Sequence, residues 1–247
     1  PPTKAGEQNL SHNKQKAYAI PDGEPCDFLI HLGVMNADGH VLKAHYDKFR
    51  QINKYLELVA GCVDSLPKDR RIHIVDFGCG KSYLTFGLYY YLVRQLGLNV
   101  KIIGLDLKDD VIRFCEQVAR DLGYDGLSFL TGDIQSYVSG EPIDMVVTLH
   151  ACDVATDAAI VQAIGWDCRI LLTVPCCQHE INAQIKKGGE LDIFLRHGII
   201  KERMSALLTD SIRAAVLEDM GYEVDMIEFI DFAHSPKNIM LRCTRKR

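Results

Sequence analysis

Carboxylates and glycines at the ends of three successive apolar runs are the residues of this chain best suited to chemistry. The first group is Asp76-Phe77-Gly78-Cys79-Gly80-Lys81-Ser82, where an apolar run breaks into a glycine-rich turn and a helix follows. Gly78 and Gly80 let main chain approach a ligand, and a helix beginning near Lys81 presents unpaired N–H groups. A dinucleotide fingerprint needs glycine where Tyr83 stands, and a phosphate-binding loop needs glycine where Val75 stands, so both fail on register. Asp106 closes the next run, Ile102-Ile103-Gly104-Leu105, and Gly132-Asp133-Ile134 follows Phe129-Leu130-Thr131. S-Adenosylmethionine suits this acidic set, because it carries an ammonium, a sulfonium and a ribose diol but no phosphate. Asp106 is placed to accept the ribose hydroxyls, Asp76 to hold the ammonium, and Asp133 to accept the adenine amine. One such aspartate is equally a helix N-cap. The ordered series is what capping does not predict.

Substrate chemistry belongs after the fourth and fifth apolar runs, at the same edge as these carboxylates. There the chain reads Leu149-His150-Ala151-Cys152-Asp153-Val154-Ala155-Thr156-Asp157 and Val174-Pro175-Cys176-Cys177-Gln178-His179-Glu180. His150 and His179 are the candidate general bases for a hydroxyl acceptor. Asp157 either orients a histidine or caps the helix that follows. Cys176 and Cys177 read as small apolar fillers or as a metal or redox pair, and Cys176 after Pro175 also reads as a nucleophile for pyrimidine methylation. His150, Cys152, Cys176 and His179 have zinc-ligand chemistry, but no short-range ligand pair accompanies them and no metal is expected.

These groups need a scaffold that brings strand ends together. After Arg71 strands and helices alternate, with strands expected at Ile72-Phe77, Val100-Asp106, Leu127-Thr131, Ile143-Leu149 and Cys168-Val174, and a helix at Tyr83–Leu96 ending at Gly97. The strands lack polar alternation, so both faces are covered and the sheet is parallel and doubly wound. A helix over Lys201–Met220 leads to two strands, Val224-Phe229 and Asn238-Cys243, joined by a turn at His234-Ser235-Pro236-Lys237 as an antiparallel hairpin. Upstream, Phe49, Ile52, Leu56 and Val59 fall at helical spacing, and the first forty or so residues read as a loosely ordered arm with a short apolar element at Phe28-Leu29-Ile30. The expected division is an N-terminal arm and helix over residues 1–68 and a catalytic domain over 69–247.

At 247 residues, 47% hydrophobic and 25% charged, the chain can bury one large core. No apolar run approaches the roughly 20 residues of a membrane helix, and the amino end lacks a signal-peptide pattern. Nine cysteines, an odd number without a C-x-x-C pair, read as reduced thiols in a cytoplasmic protein. Pro1-Pro2 at the start suggests a piece of a longer protein. A net charge of −5 argues against a generally basic surface, although local patches decide nucleic-acid binding. The patches are Lys43, Lys48, Arg50 and Lys54, then Lys186-Lys187, then Arg242 with Arg245-Lys246-Arg247. Each also reads as a solvated face or tail.

Five parallel βα units closed by a hairpin, with Asp76-Phe77-Gly78-Cys79-Gly80 close to a D/E-x-G-x-G signature, resemble the class I S-adenosylmethionine-dependent methyltransferases from about Arg71 onward. The resemblance implies a Rossmann-like seven-stranded α/β sheet with one reversed strand. It implies cofactor contacts from Asp76, Gly78, Cys79, Gly80, Lys81, Ser82 and Tyr83, from Asp106 and Leu107, from Gly132, Asp133 and Ile134, and from Leu149 with His150. The Asn/Asp-Pro-Pro-aromatic sequence of many amino-methylating members is absent. His150, Cys152 and Ala155-Thr156-Asp157 match H-x-C-x-x-A-T-D, and Cys176-Cys177 with His179 matches C-C-x-H. Both patterns are similar to those of the tRNA acceptor-stem 2′-O-methyltransferases, of the methyltransferase-like domain of glutathione S-transferase C-terminal-domain-containing proteins, and of bacterial proteins predicted to methylate RNA. In the bacterial group the likeness extends to Tyr46-Asp47-Lys48-Phe49-Arg50-Gln51-Ile52-Asn53 and His234-Ser235-Pro236-Lys237-Asn238. Gln178 and Glu180 stand where the tRNA enzymes are more basic, and no zinc-finger segment is present. RNA is the implied acceptor, with a protein or small molecule, or a non-catalytic module on the same fold, as the alternatives.

Overall fold

The structure is a computed structural model that describes residues 18–149, 154–175, 179–186, 188–229 and 238–246, apart from the side chain of His179. Seven strands form one sheet: β1 (Ile72–Phe77), β2 (Val100–Asp106), β3 (Leu127–Thr131), β4 (Met145–Thr148), β5 (Ile170–Thr173), β6 (Tyr222–Glu228) and β7 (Ile239–Arg245). Their order is β3-β2-β1-β4-β5-β7-β6. β7 runs antiparallel to both its neighbours, and the other pairings are parallel. The doubly wound α/β sheet with a reversed strand is therefore as expected. Ile74 sits between Ile102 of β2 and Met145 of β4, so the chain winds outward from β1 in both directions. That reversal opens a crevice at the carboxyl ends of β1 and β4.

Successive residues of a strand face opposite sides, and here both sides are buried. Ile72, Ile74, Met145 and Leu172 join one core with α1 (Asp27–His31), α2 (Tyr46–Ala60), α3 (Tyr83–Tyr89) and α4 (Asp109–Asp121). Val75, Phe77, Val146 and Leu171 join the other, with α5 (Val154–Gly165) and, after the short α6 (His179–Gln184) and α7 (Asp192–Leu195), α8 (Gly198–Asp219). No helix among the described residues is long and apolar enough to cross a membrane.

Several boundaries differ from the pattern-based expectation. Residues 18–41 are not a loose arm: Ile20, Phe28, Leu29, Val34 and Met35 are buried, and the Ile20 N–H donates to Asn53 Oδ1 at 2.8 Å. Their irregular spacing carries no helical or strand period, which is why the pattern concealed their burial. The helix expected over Tyr83–Leu96 begins at Tyr83 as expected, but it does not stay α-helical to Leu96. Tyr90–Gln95 widens to π geometry, after Tyr89 has stacked on Tyr124 at 4.5 Å. β4 starts at Met145, later than expected, although the Asp144 N–H already donates to His73 O at 2.8 Å. The helix expected from Lys201 starts at Gly198, and β6 and β7 start at Tyr222 and Ile239. Residues 229–238 connect them, and the turn residues His234 to Lys237 lie outside the described residues.

Candidate active site

The glycine turn is pinned to the end of β2. The N–H groups of Gly78 and Cys79 donate to Leu105 O at 2.8 and 3.1 Å, and that of Gly80 donates to Asp106 Oδ2 at 2.9 Å. Gly78 and Gly80 have φ of 69° and 52°, and Ser82, which opens α3, has φ of 58°. Those left-handed values make the tight return from strand to helix and suit glycine at the first two positions. Ser82 is held there by its hydroxyl, which donates to Gly80 O at 3.2 Å, and by Phe86 N–H, which donates to Ser82 O at 2.8 Å. The N–H groups of Gly78, Cys79 and Gly80 are thus committed to β2, which leaves any free donors to the start of the helix.

Asp76 lies beneath the turn, 4% exposed, and accepts a 2.6 Å bond from Thr85 Oγ1. Burial raises its pKa to about 7 against the lowering effect of that bond, and the Asp106 carboxylate adds to the rise. No cation among the described residues pairs with it. Close by, the phenol of Tyr55 is buried without a hydrogen-bond partner among the described residues, and burial together with Asp76 raises its pKa well above the usual value. Thr85 and Tyr55 were not legible as site residues. Thr85 stands nine positions after Asp76, within the first turn of α3, with no motif to mark it.

Asp106 is partly exposed at the end of β2. Its Oδ2 takes the Gly80 bond and its Oδ1 accepts from Lys108 N–H at 3.1 Å. Each carboxylate oxygen keeps a further lone pair. Leu107 beside it is 72% exposed, Ile134 is 7% exposed, and Asp133 is exposed with only a 3.4 Å contact from Gln135 N–H. Cys79 Sγ packs in the turn where a Cβ on Gly104 would come within 3.1 Å of it, and burial raises its thiol pKa, so it stays a neutral filler.

On the β4 and β5 side, His150, Cys152, Cys176 and Cys177 lie outside the described residues, as does the side chain of His179 at the start of α6. Leu149 is buried at 4% exposure. Thr148 and Thr173, the register partners that end β4 and β5, are fully buried with hydroxyls unpartnered among the described residues. Asp157 is within the first turn of α5 and does not cap it: its Oδ1 accepts from Arg213 Nε at 2.7 Å. Arg213, 6% exposed on α8, also donates to Asp210 at 3.0 Å. This clamp, 56 positions apart in sequence, left no signal in the sequence pattern. Among the described residues no cluster of His, Cys, Asp or Glu is placed to hold a metal.

A family described as a methyltransferase domain matches residues 47–184. The chain belongs to that family. A Podospora anserina methyltransferase, SAH-bound PaMTH1, superposes with a TM-score of 0.52 at 13% identity, covering 91% of this chain and 90% of that one. An rRNA methylase from Streptococcus thermophilus superposes with a TM-score of 0.50 at 14% identity, covering 80% and 98%. A Bos taurus glutathione S-transferase C-terminal domain-containing protein is 25% identical over 218 residues, 78% of this chain, and the chain spans about a third (32%) of that relative's length. The chain has the fold of class I methyltransferases and carries a methyltransferase domain, for which S-adenosylmethionine is the expected cofactor. Its own residues fit that cofactor: a buried carboxyl that has no counter-charge among the described residues, a phenol beside it that has no hydrogen-bond partner among them, and open space over Gly80, where an added Cβ meets nothing within 4 Å.

Proposed function

We infer that this methyltransferase acts on RNA, with its cofactor along the carboxyl ends of β1, β2 and β3 and its acceptor at those of β4 and β5. S-Adenosylmethionine, when bound, supplies an electrophilic methyl group on a sulfonium leaving group. Asp76 holds the ammonium, the spare lone pairs of Asp106 accept the ribose hydroxyls, and the exposed Leu107 with Ile134, Gly132 and Asp133 receives adenine. Gly78, Cys79, Gly80, Lys81, Ser82 and Tyr83 shape the floor, and Leu149 with His150 closes the far side. The protein's remaining work is to align an acceptor and take its proton. His150 and His179 are the bases proposed for that step, with Cys176 as a further candidate, and Asp157, held by Arg213, steadies the first turn of α5. Residues 69–247 carry this machinery, and the described residues 18–68 cover one face of it.

The observation that carries the RNA reading is the placement of Lys43 and Arg50. They lie just before and within the first turns of α2, which leads through residues 61–71 into the amino end of β1. The start of α2 therefore lies at the carboxyl edge, where a polyanion would meet these cations. The rRNA methylase among the similar folds and the H-x-C-x-x-A-T-D pattern support the same reading. The test is transfer of a radiolabelled methyl group from the cofactor into total cellular RNA and protein. Nuclease-sensitive label, lost in Asp106→Ala, is expected; protease-sensitive label that resists nuclease would overturn RNA as the acceptor.

A further inference from the structure

The residues assigned so far leave one charged group of the cofactor without a partner. Its amino-acid end carries a carboxylate as well as an ammonium, yet the strand ends around it contribute Asp76, Asp106 and Asp133, all of the same sign as that carboxylate. Three main-chain donors of the glycine turn are not available to it, since the N–H groups of Gly78, Cys79 and Gly80 are bonded to Leu105 O and Asp106. Lys81 belongs to the turn but its side chain stands exposed in solvent. A carboxylate entering an acidic crevice needs a positioned cation.

Lys48 meets that need. It lies in the first turn of α2, at the end of the helix that reaches the carboxyl edge, and its Nζ stands 5.4 Å from the centroid of the Tyr83 ring. Tyr83 is the first residue of α3 and directly follows the Gly78–Ser82 turn. The ammonium donates to Gln51 Oε1 at 2.7 Å, which uses one of its three N–H groups. Among the described residues no carboxylate pairs with it. The side chain is also partly buried, and burial lowers its pKa. A cation stripped of part of its water, steadied by an aromatic face and an amide oxygen, with donors to spare, is prepared for an anion.

We propose that Lys48 binds the carboxylate of the cofactor's amino-acid end, so that the N-terminal layer completes the cofactor site. This rests on the cofactor placement argued above. Asp76 and Lys48 then form a complementary pair around the zwitterionic end, one from beneath the turn and one from across Tyr83. The same cation could serve an RNA phosphate instead, and the two roles separate by ligand.

The experiment is calorimetric titration of the wild type, Lys48→Met and Lys48→Arg with S-adenosylhomocysteine and with 5′-methylthioadenosine, which keeps the nucleoside and lacks the amino-acid end. Lys48→Met should weaken S-adenosylhomocysteine roughly 10- to 100-fold, the range for loss of a charge-assisted hydrogen bond. Its affinity for 5′-methylthioadenosine should stay within about twofold, and Lys48→Arg should recover most of the loss. Equal weakening of both ligands would make Lys48 a structural support and overturn the proposal. Unchanged affinity for both would overturn it in favour of an acceptor-side role. Failure of the wild type to bind S-adenosylhomocysteine would overturn the cofactor placement itself, an outcome distinct from a defect confined to the variant.

Discussion

Two buried aspartates, Asp144 near the amino edge of the sheet and Asp76 near the carboxyl edge, are 2% and 4% exposed and are treated by the fold in opposite ways. Asp144 precedes β4 and is fully met: Arg70 grips it through a fork at 2.8 and 2.5 Å, and His73 N–H donates at 3.0 Å. That arrangement ties the segment before β1 to the start of β4, and the paired guanidinium is held above its ordinary pKa by the Asp144 bond. Among the described residues Asp76 has a single hydroxyl donor and no cation, and its acid stays protonated up to about pH 7. Burial of a carboxylate therefore does not separate structure from function. The missing counter-charge does, because a fold that needed Asp76 only for itself would be more stable with the charge met.

The comparison breaks or holds first on stability. Asp144→Ala strands the His73 N–H and the Arg70 fork, and removal of one partner of a buried pair costs about 3 to 5 kcal/mol. Arg70 is 42% exposed and can turn to water, which places the expected loss at about 2 to 3 kcal/mol. Urea unfolding should show that loss while affinity for S-adenosylhomocysteine stays unchanged. A variant of full stability with weakened cofactor binding would erase the distinction between the two edges.

Asp106→Ala should show the reverse balance. It removes the proposed ribose acceptor together with the bonds to Gly80 and Lys108, so S-adenosylhomocysteine should bind about 1.5 to 3 kcal/mol more weakly. The loss of stability should be smaller, about 1 kcal/mol, since Asp106 is partly exposed and water can replace it at the main-chain donors. Titration and unfolding of the same preparation measure both. Unchanged affinity would remove Asp106 from the cofactor site.

The contrast also explains what the sequence could reveal. β1, β2 and β3 were legible to the residue because parallel strands covered on both faces are continuous apolar runs, and the turn was legible because left-handed Gly78 and Gly80 leave a composition mark. The burial of Ile20, Phe28 and Val34 was not, because their contacts are made by irregular chain with no period. Partnerships were harder still. Asp144 with Arg70 and Asp157 with Arg213 are separated by 74 and 56 positions, and nothing local announces which of several arginines a carboxylate will find. Lys48 was visible as one of a basic group; its position over Tyr83 follows only from the packing of α2 on α3.

The dependence on pH is the effect most specific to Asp76. Its folded pKa of about 7 lies above the unfolded value of about 3.9, so between those limits the folded state binds more protons than the unfolded one. Unfolding free energy must then fall as pH rises through that window and level off above it. Asp76→Asn cannot ionise, so its stability should fall less steeply over the same range than that of the wild type. The difference between the two profiles isolates Asp76 from the other carboxylates. The cofactor's ammonium reverses the preference, because a cation beside the acid favours the ionised form. Binding of S-adenosylhomocysteine near pH 6 should therefore expel up to about one proton, and affinity should rise by at most about tenfold per pH unit until the acid is ionised beforehand. Titrations in buffers of different ionisation enthalpy count that proton, which the Asp76→Asn variant should not release. If both proteins exchange protons equally, the ammonium does not meet Asp76, and the unpaired carboxylate would be a cost of the fold rather than a preparation for its ligand.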